Sequence, residues 1–308
     1  MRSLSIKLSC LLRIFIANFQ YFAGGGRFKK RRTFITLLLI PYAFVRSCLL
    51  LPKPLVFRQI TFVISTKCTL KCKKCNNLMP YYRDNHNPYD IPAEHCMASF
   101  SSLAAAIDCI YEVNIIGGEP FLHEELDLIL KFCIDEPKIK KISITTNGTI
   151  CPKDDLAITL KHPKILVFIS DYGVYSKNIE KLIIWLKEHR INYISQKPSF
   201  WFDAGDVSPR HRNFKYLKKM FFLCRMPQCV IFLNGKIHHC ALSAHGMDLG
   251  IIPDNPKDYV DVTAFNKGEL RKKIEDFRLK TASIVACDYC DLSKIIPVVK
   301  IPVGEQKN

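Results

Sequence analysis

Residues 60–75 read ITFVISTKCTLKCKKC, and the fold is decided there. The β-branched, apolar run over 60–65 predicts a buried strand, and Cys68, Cys72 and Cys75 follow it in one short loop. Three thiolates therefore converge from a single turn. A closed tetrahedral metal site takes four protein ligands, whereas three thiolates on an iron-sulfur cube leave one iron open to a small molecule. The competing reading of the same cysteines is a structural zinc knuckle completed by a residue such as His86.

Outward from this strand the pattern alternates. Strands are expected over 60–65, 113–116, 141–145, 165–170 and 192–195, with helices over 93–111, 124–135, 153–161 and 176–189 between them. That alternation predicts an α/β fold with a parallel sheet and helical crossovers. In such sheets ligands gather beyond the carboxyl ends of the strands, and three candidate motifs fall there: the cysteine loop, Gly117-Gly118-Glu119-Pro120, and Thr146-Asn147-Gly148. Glycines at 117 and 118 permit a close backbone approach, and Pro120 stiffens the exit of the turn.

The Cys-x3-Cys-x2-Cys spacing, the Gly-Gly-Glu-Pro turn and the Thr-Asn-Gly strand end together resemble the radical S-adenosylmethionine (SAM) superfamily over roughly residues 58–200. The resemblance implies a partial (β/α)6 TIM-like barrel and a 4Fe-4S cluster on Cys68, Cys72 and Cys75. It further implies SAM at the open iron, cleaved reductively to methionine and a 5′-deoxyadenosyl radical that abstracts hydrogen from a substrate. Gly117, Gly118, Glu119 and Pro120 are then expected around the SAM methionine group, and Asn147 and Ser170 around its ribose and carboxylate. No catalytic side chain beyond the cluster ligands is singled out. Asp171 is either part of an ordinary turn with Tyr172 and Gly173 or directed toward substrate. Tyr81 and Tyr82 either pack simply or cover the adenine.

After about residue 200 the alternation weakens and cysteines return, as Cys224, Cys229, Cys240, Cys287 and Cys290. Their spacing resembles the auxiliary-cluster region of SPASM and twitch domains, which implies a second 4Fe-4S cluster on Cys224, Cys240, Cys287 and Cys290, with Cys229 as the alternative to Cys224. Four thiolates also suit zinc. His238 and His239 flank Cys240 and are read as surface residues. Cys96, Cys109, Cys133 and Cys151 lie on or beside expected helices and are read as small buried apolar residues.

Charge divides the chain. Of its 45 Lys and Arg, 16 precede the first acidic residue, Asp84, and the other 29 nearly balance the 28 Asp and Glu. The basic residues are interleaved with apolar stretches over 8–22 and 34–51, a mixture that points to an anionic membrane surface rather than to nucleic acid. Arg13, Pro41 and Arg46 interrupt those stretches, so the expectation is peripheral attachment, with an N-terminal helical pair packed on the barrel, or a signal peptide or true span, as the alternatives. The expected division is an N-terminal basic, apolar helical segment over 1–57, a radical SAM core over 58–205 and a small twitch-like domain over 206–308, ending in a loose tail over 304–308.

The resemblance implies an oxidoreductase or transferase, the cysteine usage implies a reducing cytoplasm, and the peripheral reading would add attachment at the inner membrane face. Its electron donor would be a flavodoxin or ferredoxin, docked beside the cluster on Lys67, Lys71, Lys73 and Lys74. Sugars, peptides and envelope-related molecules are its candidate substrates, and Trp201, Asp203 and Asp206 are either substrate contacts at the barrel mouth or plain linker. A non-catalytic iron-sulfur or zinc protein, acting as redox sensor or scaffold, is the alternative of a different class.

Overall fold

The computed structural model describes residues 54–307 apart from 86–87 and 228. The N-terminal basic and apolar stretches, and His86, lie outside the described residues. Strands β1 (Val56–Val63), β2 (Cys109–Ile116), β3 (Ile139–Thr146), β4 (Ile165–Ser170) and β5 (Tyr193–Gln196) alternate with helices, as the pattern predicts. They share one sheet with β7 (Ile231–Leu233), β8 (Lys236–His238) and β9 (Tyr259–Asp261), in the order β5-β4-β3-β2-β1-β7-β8-β9. The first six in that order run parallel, and β8 and β9 are antiparallel additions. The fold is mixed α/β with a mainly parallel central sheet, consistent with a partial TIM-like barrel.

The sixth parallel strand comes from an unexpected place. It is β7, which pairs with β1 through Thr61 and Phe62 on the side away from β2. Phe232 of β7 meets Phe62 of β1 and Phe100 of the helix Ala93–Ala106 at ring separations of 5.4 Å each, and all three rings are fully buried. An Asn234-Gly235 turn, with both residues at positive φ, closes the β7–β8 hairpin, the geometry that matches strand twist. The sheet and its core therefore run across residue 205, where the sequence suggested a division.

Helix α1 (Met79–Asn85) follows the cysteine loop, and α2 (Ala93–Ala106) crosses to β2. The expected helix over 93–111 stops five residues early because the apolar run after Asp108 enters the sheet opposite Val56. Asp108 secures the change of direction by accepting from Leu55 N (2.7 Å) and from Arg271 (2.8 Å). Cys109 consequently lies on a strand, not a helix, although its burial is as expected. Helices α3 (Leu126–Asp135), α4 (Ala157–Leu160) and α5 (Ile179–Glu188) complete the crossovers, with α4 a single turn preceded by a short 3-10 turn. Beyond β5 come β6 (Trp201–Phe202), α6 (Phe214–Phe222), α7 (Ala241–Asp248), α8 (Lys267–Lys280) and β10 (Lys300–Ile301), which pairs with β6. Among the described residues no helix is long and apolar enough to cross a membrane.

Candidate functional site

Strands β1 to β4 are neighbours, so their carboxyl ends bring residues 65–68, 117–120, 147–149 and 170–172 side by side. The cysteine loop is stitched to the Gly-Gly turn by Gly118 N donating to Ser65 O (3.2 Å) and Glu119 N to Lys67 O (2.8 Å). A Cβ on Gly118 would stand 2.3 Å from Lys67 O and 2.4 Å from the Cys68 Cβ, and one on Gly117 would stand 2.8 Å from Ser65 O. The glycines thus let two backbones touch, and the surface they approach is the cysteine loop itself.

Glu119 is fully buried and holds the turn to β3. Its carboxylate accepts from Thr146 Oγ1 (2.9 Å to each oxygen), Asn147 N (2.8 Å) and Phe121 N (3.2 Å). Burial pushes its pKa up to about 7, against the pull of those donors. Pro120, itself buried, follows it into a one-turn 3-10 helix. Asn147 continues the brace: Nδ2 donates to Thr69 Oγ1 (3.1 Å) and toward Cys68 Sγ (3.7 Å), while Oδ1 accepts from Thr149 N (3.0 Å) and Thr149 Oγ1 (2.5 Å). Ser170 bonds Tyr172, a residue that sequence reasoning assigned only to a turn. Burial raises the Tyr172 phenol to about 12, and the three cysteines beside it add to the rise. Asp171 makes the turn, accepting from Gly173 N at 2.7 Å.

The tail expected to be loose is instead a strap over the cysteine loop. Lys73 N donates to Glu305 O (2.7 Å) and Lys307 N to Lys71 O (2.8 Å), a short antiparallel pairing centred on Cys72 and Gln306. Gln306 Nε2 donates to Cys72 Sγ at 3.3 Å. No local sequence signal marks Gln306, because its partners lie more than 230 residues away.

Every sulfur of the loop receives N–H donors: Cys68 from Leu70 N (3.4 Å), Cys72 from Gln306, and Cys75 from the backbone of residues 77–79. Burial pushes the Cys68 thiol up to about 12 and Cys72 up to about 11, and raises Cys75 as well, so none is an exposed nucleophile. Desolvated thiols ringed by N–H donors suit ligands whose charge is balanced by bound iron, since coordination deprotonates a thiol outright. Among the described residues no group of three or more His, Cys, Asp or Glu side chains is placed to hold a single metal ion. Thiolates that grip separate corners of a cluster do not need to meet at one point. The donor set fits a three-cysteine cluster site.

Residues 62–171 match the model of the Radical SAM superfamily. This stretch is a radical SAM domain. The GTP 3′,8-cyclase of Clostridium acetobutylicum is 34% identical over 91 residues, which cover 29% of this chain and 27% of that enzyme. The chain thus matches little more than a quarter of the length of such curated relatives. Among solved structures, anSMEcpe with bound AdoMet is 15% identical with a TM-score of 0.49, covering 73% of this chain and 80% of that one. BtrN in complex with AdoMet and 2-DOIA is 17% identical with a TM-score of 0.46, covering 82% and 97%.

Beside the radical SAM domain, Cys224, Cys229, Cys240, Cys287 and Cys290 all line one cavity of about 580 Å³, which also reaches Lys74 and Cys75 of the cluster loop. Burial raises Cys229 to about 11 and Cys287 to about 12, with Cys240 and Cys290 also raised, and neighbouring cysteines add to each rise. Backbone N–H groups of Met226, Ser243 and Leu292 point at Cys224, Cys240 and Cys290 (3.3, 3.4 and 3.3 Å). Cys224 and Cys229 both line the cavity, so the alternative between them stays open. Asp291, next to Cys290, takes Arg210 and Arg212 at 2.6 Å each and ties the segment after β6 to the last cysteine pair.

Several expectations change in the folded chain. His238 and His239 are not surface residues: His238 is buried against Ser243 Oγ (3.2 Å) and His239 stacks on Phe277 (3.8 Å). Burial depresses them to about 3 and about 4, so both stay neutral. Tyr82 is core, its hydroxyl donating to Asp248 at 2.7 Å, and Tyr81 lies under the Lys307 ammonium (5.0 Å). The four lysines beside the domain's cysteines are each paired inside the chain: Lys67 with Asp90 (2.7 Å), Lys71 with Asp84 (3.9 Å), Lys73 with Glu305 (2.6 Å), and Lys74 with Asp206 (2.9 Å) and Asp203 (3.3 Å). They do not form an uncompensated basic patch. Trp201 packs edge-on to Tyr172 at 5.4 Å.

Proposed function

We propose that the protein is a radical SAM enzyme with its 4Fe-4S cluster on Cys68, Cys72 and Cys75 and an auxiliary cluster on Cys240, Cys287, Cys290 and either Cys224 or Cys229. Cys68, Cys72 and Cys75 would hold the first cluster, which when bound would supply the one-electron reduction of SAM that starts hydrogen abstraction from a substrate. The observation that carries this reading is the set of three sulfurs in one loop, Cys72 buried and Cys68 and Cys75 half-buried, each met by N–H donors and locked to the Gly117-Gly118-Glu119 turn at the ends of β1 and β2.

The chain's own residues position and exclude. Gly118 brings the turn against Cys68. Glu119 and Asn147 hold that turn and the cysteine loop in register with β3. Gly117 to Pro120, Asn147 and Ser170 border the place a SAM molecule would take, with Tyr172 walling it from water. The cavity shared by Cys75 and the C-terminal cysteines is the space for substrate between the two groups. An external flavodoxin or ferredoxin would supply the electron, and sugars, peptides or envelope-linked molecules remain the substrate classes under this reading. The 58–205 and 206–308 division is kept as a functional one, with the SPASM/twitch-like region carrying the second cluster.

Anaerobic reconstitution of the full chain, followed by dithionite and SAM, tests the proposal. It expects 5′-deoxyadenosine from the native protein and none from Cys72→Ala, with iron near eight per chain. 5′-Deoxyadenosine persisting in Cys72→Ala would refute the assignment of the cluster.

A further inference from the structure

We propose that Gln306 is a positioning residue of the radical SAM cluster, donating an N–H···S bond to Cys72 that raises the cluster's reduction potential. This rests on the reading that Cys68, Cys72 and Cys75 hold the cluster.

The amide of Gln306 is fully committed. Nε2 directs one hydrogen to Cys72 Sγ (3.3 Å) and the other to Gly304 O (2.5 Å), while Oε1 accepts from Lys71 N (2.6 Å). Flipping the amide would set its oxygen against a sulfur and a carbonyl, and its NH2 against a peptide N–H. The three contacts therefore fix the donor toward the sulfur. The strap that carries Gln306 is docked along its length: its backbone pairs with Lys71 and Lys73, Lys73 Nζ meets Glu305 at 2.6 Å, and Lys307 Nζ meets Asp84 at 3.2 Å. Gly304, at φ +66°, lets the chain turn against Tyr172, where a Cβ would stand 3.0 Å from the tyrosine Cβ. Upstream, β10 is held to β6. A donor delivered with this much scaffolding is held in one place.

Its effect follows from charge. Reduction places one more electron on a cluster whose negative charge spreads onto its thiolates. An N–H dipole with its positive end on Cys72 Sγ stabilises the reduced state more than the oxidised one. No bond forms or breaks in this step. One electron passes from the reductant, dithionite in the assay, to the cluster.

The test is a redox titration of the anaerobically reconstituted full chain, followed by electron paramagnetic resonance, with the first cluster identified as the signal that changes when SAM is added. Gln306→Ala removes the whole amide. Gln306→Glu keeps an acceptor for Lys71 N but sets a carboxylate oxygen against Cys72 Sγ and Gly304 O, so its charge adds to the loss of the donor. Both variants are expected to move that midpoint to more negative values by at least tenfold in the one-electron equilibrium, about 59 mV. Iron content should stay at the native level in Gln306→Ala, because the strap's backbone bonds to Lys71 and Lys73 do not use the amide. A midpoint unchanged in Gln306→Ala, or moved to more positive values in either variant, overturns the proposal. Absence of any SAM-responsive signal in the native protein instead overturns the cluster reading beneath it.

Discussion

Gly118→Ala puts the contact between the cysteine loop and the Gly-Gly turn under direct strain. The added methyl would sit 2.3 Å from Lys67 O and 2.4 Å from the Cys68 Cβ, and neither atom belongs to a side-chain end that can swing away. To reach an ordinary separation the two backbones must part by about 1 Å, and overpacking of this kind costs about 1–3 kcal/mol. The same parting stretches the Gly118–Ser65 and Glu119–Lys67 hydrogen bonds, now 3.2 and 2.8 Å. Weakening them adds about 1–2 kcal/mol, for a total of about 2–5 kcal/mol. In urea unfolding that corresponds to a midpoint lower by about 1 M or more. Because Cys68 moves with the loop, the variant should also retain less iron after reconstitution, and any remaining SAM cleavage should fall by about 100-fold for a 1 Å misplacement. Gly268→Ala is the control: its Cβ would meet nothing closer than 3.6 Å, in the first turn of α8, and it should be neutral or stabilising. If Gly118→Ala unfolds within about 0.5 kcal/mol of the native protein and keeps its cluster, the close approach is not what these glycines are for.

Further outcomes follow from the same geometry. Glu119 is raised to about 7 from an ordinary 4.5, so the folded chain binds its proton more tightly than the unfolded chain does. Its stabilising contribution is complete below about pH 4.5 and lost as pH rises to 7, about 3 kcal/mol in all, and Glu119→Gln should flatten that part of the stability–pH curve of the iron-free protein. Phe232→Ala removes one ring of the Phe62–Phe100–Phe232 cluster and should cost about 3–5 kcal/mol. Its unfolding should remain one cooperative transition, and a separate early transition for residues after 205 would contradict the shared sheet. Asp291→Ala frees Arg210 and Arg212 and should cost about 1–2 kcal/mol, since the pair is partly exposed. On reconstitution its iron should fall from near eight toward four per chain while the SAM-responsive signal stays, and loss of that signal instead would show that the two cysteine groups are not separately held.

Local chemistry was legible and long-range chemistry was not. The period of apolar residues places β1 to β5 within a few residues, and the cysteine spacing places three thiolates in one loop, because both are short-range properties of the chain. The helix expected to run to residue 111 ends at 106 because Ile110 and Val113 are worth more inside the sheet than on a helix, a tertiary preference that propensity does not carry. His238 and His239 read as surface residues by type, and only the packing of Ser243 and Phe277 against them buries the first and half-buries the second. Beside any contact to SAM, Gly118 and Asn147 brace the cysteine loop through Lys67, Cys68 and Thr69, contacts between strand ends that the local sequence does not show. The strap over Cys72 had no signature at all, since pairing across more than 230 residues depends on where β6 and β10 put the tail.

These brace contacts bear on how such a site can be rigid and open at once. A cluster held at three corners has no fourth protein ligand to fix its orientation, so the loop that carries it must be fixed by other means. In this chain the fixing comes from three directions: the Gly-Gly turn below, joined through Glu119 to β3; Asn147 and Thr149 at the side, through Thr69; and the C-terminal strap above, through Lys71 and Lys73. None of these contacts uses a further cysteine, and the lysines that would otherwise repel one another around the loop are each spent on a carboxylate. Under the proposed assignment the loop would therefore keep its shape without a fourth protein ligand. That separation of scaffold from ligand would let a small molecule approach the cluster without loosening the three sulfurs.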